Sequence, residues 1–148
     1  MNPAKRILIV DDESDILILL ELLLTAEGYE VVTTTDGDEA NQLSRSQRFD
    51  LILVDLIMPI KDGIETILSL RASRVKAPII AMSGGWLGGT KSCLPLAEKL
   101  GASGTLAKPF DRETLLRTVV SVLGTQGAVT PHFPQAARPP ATALAACG

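Results

Sequence analysis

Three aspartates stand where two apolar runs end: Ile7-Leu8-Ile9-Val10 leads into Asp11-Asp12, and Leu51-Ile52-Leu53-Val54 leads into Asp55. A buried strand gains nothing from acid at its tip. If the two runs are neighbouring strands, their carboxylates converge within a few ångströms. Like charges that close in a partly desolvated pocket repel unless a cation joins them. The cluster therefore predicts a bound cation. Only oxygen ligands are on offer, which favours a hard ion such as Mg2+ over zinc or copper.

The elements that must position these acids follow from periodicity. Residues 6–10, 31–34, 51–54, 78–82 and 104–107 read as strands; 13–27, 37–46, 63–73, about 92–100 and 111–123 read as helices. Strands that are apolar along their whole length belong in a parallel sheet covered on both faces, so five βα units predict a doubly wound α/β sandwich. In such sheets functional groups gather beyond the carboxyl ends of the strands, where Asp11, Asp12 and Asp55 fall. Gly28, Gly101 and Gly124 each follow a helical segment and read as helix stops. On the first helix the periodicity assigns Ile16, Leu19, Leu20 and Leu23 to the core and leaves Ile18 and Leu22 on the far side.

Composition narrows the class further. The 148 residues, 46% of them hydrophobic, suffice for one domain with a real core. A net charge of -3 without a clustered basic run argues against nucleic acid as a partner. The most apolar stretch, 16–24, is broken by Glu21 and is far short of the roughly 20 residues of a membrane span. Cys93 and Cys147 lie far apart and no apolar signal segment opens the chain, so the expectation is a cytoplasmic protein without a disulfide framework. Residues 125–148 carry no acid, one base (Arg138) and four of the nine prolines, and are expected to form a disordered tail behind a domain at 1–124.

Four motifs in order give the chain a family likeness: Asp11-Asp12-Glu13 after the first strand, the run Asp55-Leu56-Ile57-Met58-Pro59-Ile60-Lys61-Asp62-Gly63, Ser83 at the end of the fourth strand, and Lys108-Pro109-Phe110 at the end of the fifth. Together they make residues 5–123 resemble the receiver domain of bacterial two-component response regulators. The resemblance implies a flavodoxin-like sheet of order 2-1-3-4-5. It implies that Asp55 is the phosphoacceptor, and that Asp12, Asp55 and the backbone carbonyl of Ile57 ligate Mg2+ while Asp11 acts through a bound water. Lys108, followed by a cis bond to Pro109, would offset phosphoryl charge, and Ser83 would donate a hydroxyl hydrogen bond to a phosphoryl oxygen. Simpler roles exist for some of these residues. Asp11 or Asp12 can cap the first helix, Lys108 can be a surface lysine at a turn, and Ser83 before Gly84-Gly85 is ordinary turn material.

The resemblance also implies a partner. The one histidine, His132, lies in the proline-rich tail, so the phosphoryl donor is expected to be a separate histidine kinase or histidine phosphotransfer protein. Ile18 and Leu22 are the candidates for docking its helical bundle. The chain is expected to be a stand-alone regulator, monomeric or weakly dimeric, that signals through an unidentified downstream protein and catalyses only its own phosphorylation and dephosphorylation. Two departures bear on the switch. Thr105 replaces the family's aromatic residue three positions before the lysine, and the loop Gly84-Gly85-Trp86-Leu87-Gly88-Gly89-Thr90 is longer than the family pattern, with Trp86 a candidate moving group beside Ser83. The competing readings are a phosphorylation-independent binding module, a phosphate sink, and a Mg2+-dependent hydrolase of the dehalogenase-like class. The last is disfavoured because no second acid stands two places after Asp55.

Overall fold

The computed structural model describes residues 4–56, 63–84 and 98–124. The apolar runs 7–10 and 51–54 are completely buried, as expected of central strands in a parallel sheet with helices on both faces. They form most of β1 (Arg6–Val10) and β3 (Leu51–Asp55). With β2 (Glu30–Thr34), β4 (Ile79–Gly84) and β5 (Gly104–Lys108) they make one parallel sheet of order β2-β1-β3-β4-β5. The connecting helices are α1 (Ser14–Ala26), α2 (Gly37–Ser46), α3 (Gly63–Ala72) and α4 (Arg112–Gly124). This is the flavodoxin-like α/β fold and strand order expected. Of the helix expected near 92–100, residues 92–97 lie outside the described residues, as does the tail from 125.

Side-chain alternation along the strands builds two cores. Ile7, Ile9, Leu53, Ile80, Met82 and Leu106 join α1 and α4. Leu8, Val10, Ile52, Val54 and Ala81 join α2 and α3.

Helix ends follow local chemistry. Asp36 caps α2 by accepting from the Asp38 N–H at 2.9 Å, and Asp111 accepts from the Thr114 N–H at 2.7 Å at the start of α4. Gly28 and Gly101 take the left-handed conformation expected of helix stops, at φ 95° and 121°. Gly124 is the last residue of α4. On α1 the core stripe differs from the expected one: Leu17, Leu20 and Leu24 are buried, Ile16 and Leu23 flank them, and Leu19 is 49% exposed. At about 100° per residue, Leu19 lies a quarter turn off the line through Leu20. Leu17 and Leu24 lie closer to that line and take the core. Ile18 and Leu22 are exposed, at 57% and 65%.

Candidate metal centre and functional site

The register of the sheet brings the acids together. Val10 pairs with Val54, so the residues that follow, Asp11 and Asp55, leave two hydrogen-bonded strands at the same height. Asp12 is the next residue on the β1 side. One carboxylate oxygen from each of Asp11, Asp12 and Asp55 falls in a group whose members all lie within 4.8 Å of one another. Asp11 is fully buried, Asp55 is 3% exposed, and Asp12 faces solvent.

Lys108 enters from the far strand. Gly84 pairs with Lys108 across β4 and β5, which places the lysine just past the acid row. Its Nζ lies 2.7 Å from Asp11 Oδ2 and 3.6 Å from Asp55 Oδ1, and the Lys108–Pro109 bond is cis. Burial alone would lower the pKa of this ammonium. The hydrogen bond from Lys108 to Asp11 and the charges of Asp11, Asp55 and Glu13 outweigh burial and hold the pKa above the ordinary lysine value.

Asp11 is engaged on both oxygens, because Oδ1 also accepts from the Glu13 N–H at 2.9 Å. The helix-start alternative is therefore met in part. Asp11 braces the turn into α1, while the N-cap residue, Glu13, makes no side-chain cap. Ser83 is 6% exposed and is the next-to-last residue of β4, one past Met82, the pairing partner of Asp55. Thr105 is half-buried on the edge strand β5 and pairs with Ala81. Ile57 and Trp86 lie outside the described residues.

Gly63 was legible only as part of a motif run, and its task emerges from packing. The first residue of α3 donates its N–H to Leu56 O at 3.0 Å, and a Cβ there would collide with the backbone of Asp55 and Leu56. Only glycine lets α3 start against the backbone of the buried acid. A glycine opening a helix is the sequence signal, since glycine is a poor helix former.

The donor set suits a divalent oxygen-seeking ion. Three carboxylates face a single ammonium, no nitrogen or sulfur ligand joins them among the described residues, and the exposed Asp12 leaves the group open to solvent.

Comparison with known proteins gives this geometry its context. The response regulator receiver domain family matches residues 7–120. The chain belongs to that family. As a receiver it is 34% identical over 119 residues to the alkaline phosphatase synthesis transcriptional regulatory protein PhoP of Bacillus subtilis, a match that covers 80% of this chain and 48% of the relative. The chain spans about half the length of the curated relatives it matches. Its fold is similar to that of the Vibrio cholerae chemotaxis protein CheY4, with a TM-score of 0.72 and 33% identity over 80% of this receiver and 98% of that chain. A receiver domain from a sensor histidine kinase of Pseudomonas aeruginosa, solved with a magnesium ion coordinated in its active-site cleft, gives a TM-score of 0.70 and 33% identity, covering 82% of this chain and 98% of that one. No helix among the described residues is long and apolar enough to cross a membrane.

Proposed function

We propose that this receiver accepts a phosphoryl group on Asp55 from a phospho-histidine of a partner histidine kinase or phosphotransfer protein, with Mg2+ as cofactor, and that it signals through protein contacts. The observation that carries the reading is the Asp55 carboxylate, buried within the three-acid group and 3.6 Å from the Lys108 ammonium. An Asp55 oxygen attacks phosphorus, the P–N bond to the donor imidazole breaks, and the electron pair stays with the departing nitrogen. The products are an acyl phosphate on Asp55 and a free histidine on the donor.

When bound, Mg2+ supplies charge neutralisation for the phosphoryl oxygens. Asp12 and Asp55 are the acids to hold it, with the backbone carbonyl expected of Ile57. Asp11, whose two oxygens already have protein partners, suits an indirect role through water. Lys108 is placed to exchange part of its contact with the carboxylates for a phosphoryl oxygen, and the Ser83 hydroxyl, near the end of the neighbouring strand, can donate to one.

Incubation with acetyl phosphate and Mg2+ tests this: one phosphoryl group adds to the parent, and none to Asp55→Asn or in the presence of EDTA. A parent chain that gains no mass would leave the phosphorylation-independent binding module as the better reading, and turnover of unrelated phosphate esters the hydrolase. The exposed apolar strip Ile18, Leu19 and Leu22 on α1, whose helix starts two residues after Asp12, is the proposed dock for the donor's helical bundle. Ile18→Ser with Leu22→Ser is expected to slow transfer from the donor protein about tenfold and to leave labelling by acetyl phosphate unchanged. Equal loss with both donors would point to damage at the site and sink the docking proposal.

A further inference from the structure

At the end of the sheet opposite the acids, where β1, β3 and β4 begin, the described residues enclose a cleft of about 780 Å3. Its walls are the last turn of α2 and the segment leading to β3, the segment leading to β4, and the residue before β1. Five cations from these three places line it: Lys5, Arg45, Arg48, Arg74 and Lys76. All five are exposed, and among the described residues none of their side chains makes an ion pair or hydrogen bond. The cleft's single carboxylate, Asp50, is occupied by the backbone N–H of Arg6 at 2.8 Å. Five like charges are thus gathered in a chain whose net charge is -3, against one carboxylate, Asp50, among the described lining residues.

A backbone feature marks the cleft as more than a solvated rim. Arg74 sits in the left-handed conformation at φ 63°, with the Arg74 N–H donating to Arg71 O and the Val75 N–H to Leu70 O, each at 3.0 Å. This is the helix-ending position at which α1 and the chain at 101 use glycine. An arginine here accepts a conformational cost to place a cation at the cleft mouth.

We propose that this cleft binds a small polyanion carrying two or more linked phosphoryl groups, either free polyphosphate or the phosphate arm of a nucleotide. Its volume is that of a small-molecule site, and guanidinium forks match phosphoryl oxygens in pairs. Phe49 offers no stacking surface for a base, since its ring is 6% exposed and carries the Arg6 guanidinium 5.1 Å from its centroid. Recognition is therefore by charge.

Calorimetric titration of the whole chain in EDTA, which keeps metal-held phosphate away from the acid site, tests the proposal with tripolyphosphate, ATP and adenosine. The two polyphosphates should bind with one-to-one stoichiometry and adenosine should not bind. Equal affinities assign free polyphosphate, and tighter binding of ATP assigns the nucleotide. Arg48→Ser with Lys76→Ser should weaken binding at least about tenfold. Arg74→Gly should weaken it while leaving the melting temperature equal or higher, which separates lost charge from lost fold. Failure of both polyphosphates to bind, undiminished binding by both variants, or a single-stranded oligonucleotide outcompeting tripolyphosphate would overturn the assignment.

Discussion

At the scale of single residues, Lys108 has the most informative position. Its ammonium answers two buried carboxylates, so removing it leaves Asp11 in the interior without its cation. Lys108→Met is expected to lower stability without metal by on the order of 3 kcal/mol, read by urea denaturation in EDTA. The same variant should bind Mg2+ more tightly, because the ion no longer competes with an ammonium, yet should take up phosphoryl groups more slowly from acetyl phosphate. Weaker Mg2+ binding by the variant would refute this account. The pKa of Lys108 is raised on folding, so its stabilising contribution is fully present below the unfolded lysine value and is lost only as pH rises through the higher folded one. Asp111 behaves in the opposite sense. Hydrogen bonds from Thr114, the backbone N–H first, hold its pKa below the usual carboxylate range, so its contribution is present above the unfolded value and is lost as pH falls through the folded one. Asp111→Asn keeps a capping oxygen but should flatten that part of the acid limb in a pH series of thermal melts. The acids were legible in the sequence because residue type and place conflict: carboxylates do not belong at the tips of buried strands. Gly63 was not legible in the same way, because its task depends on how closely one backbone approaches another.

At the scale of elements, α3 links the two ends of the molecule. Its first residue lies against the backbone of Asp55, and its last turn delivers Arg71 to three carbonyls, Val75 O, Ala77 O and Gly101 O, each at 2.8 Å. Burial lowers the pKa of this guanidinium. The fork nonetheless ties the segment before β4 to the turn before β5, and an ammonium has no planar set of donors to reproduce it. Arg71→Lys should cost about 2 kcal/mol in denaturant unfolding. Gly63→Ala should cost at least as much, since a Cβ there meets backbone and not a flexible side chain. It should also reduce labelling of Asp55 by acetyl phosphate, whereas Arg71→Lys should leave labelling intact. If both variants lost labelling in proportion to stability, the special placement of Gly63 would be refuted. Element types and order were readable from periodicity because the fully buried apolar runs 7–10, 51–54 and 79–82 of the three inner strands and caps such as Asp36 agree with one another. The core stripe of α1 was harder: with Ile and Leu at nearly every position from 16 to 24, composition alone does not say which third of the helix faces the sheet.

At the scale of the whole molecule, charge is sorted along the strands, with acid at their carboxyl ends and unpaired base at their amino ends. The acidic end was visible because its residues fall in two short motifs. The basic end was hidden because Lys5, Arg45, Arg48, Arg74 and Lys76 come from three separated segments that only the fold assembles. With the proposed Mg2+ held at the acidic end, global stability should depend on the metal. Asp11 and Asp12 extend β1 and Asp55 ends β3, so an ion held between them ties the two neighbouring inner strands and binds the folded chain far better than the unfolded one. At a free Mg2+ concentration of a hundred times the dissociation constant, this linkage stabilises the fold by about 2.7 kcal/mol. For a domain of this size that raises the melting temperature by roughly 10 °C. Melts in EDTA and in a Mg2+ series should show that rise with a logarithmic dependence on concentration, and Asp12→Ala should lose most of it. In Asp12→Ala one ligand and one negative charge are gone, so its melting temperature in EDTA should equal or exceed the parent's, carboxylate repulsion being relieved. A parent melting temperature indifferent to Mg2+, or an Asp12→Ala variant that retains the full rise, would mean that the three carboxylates do not act as one cation site.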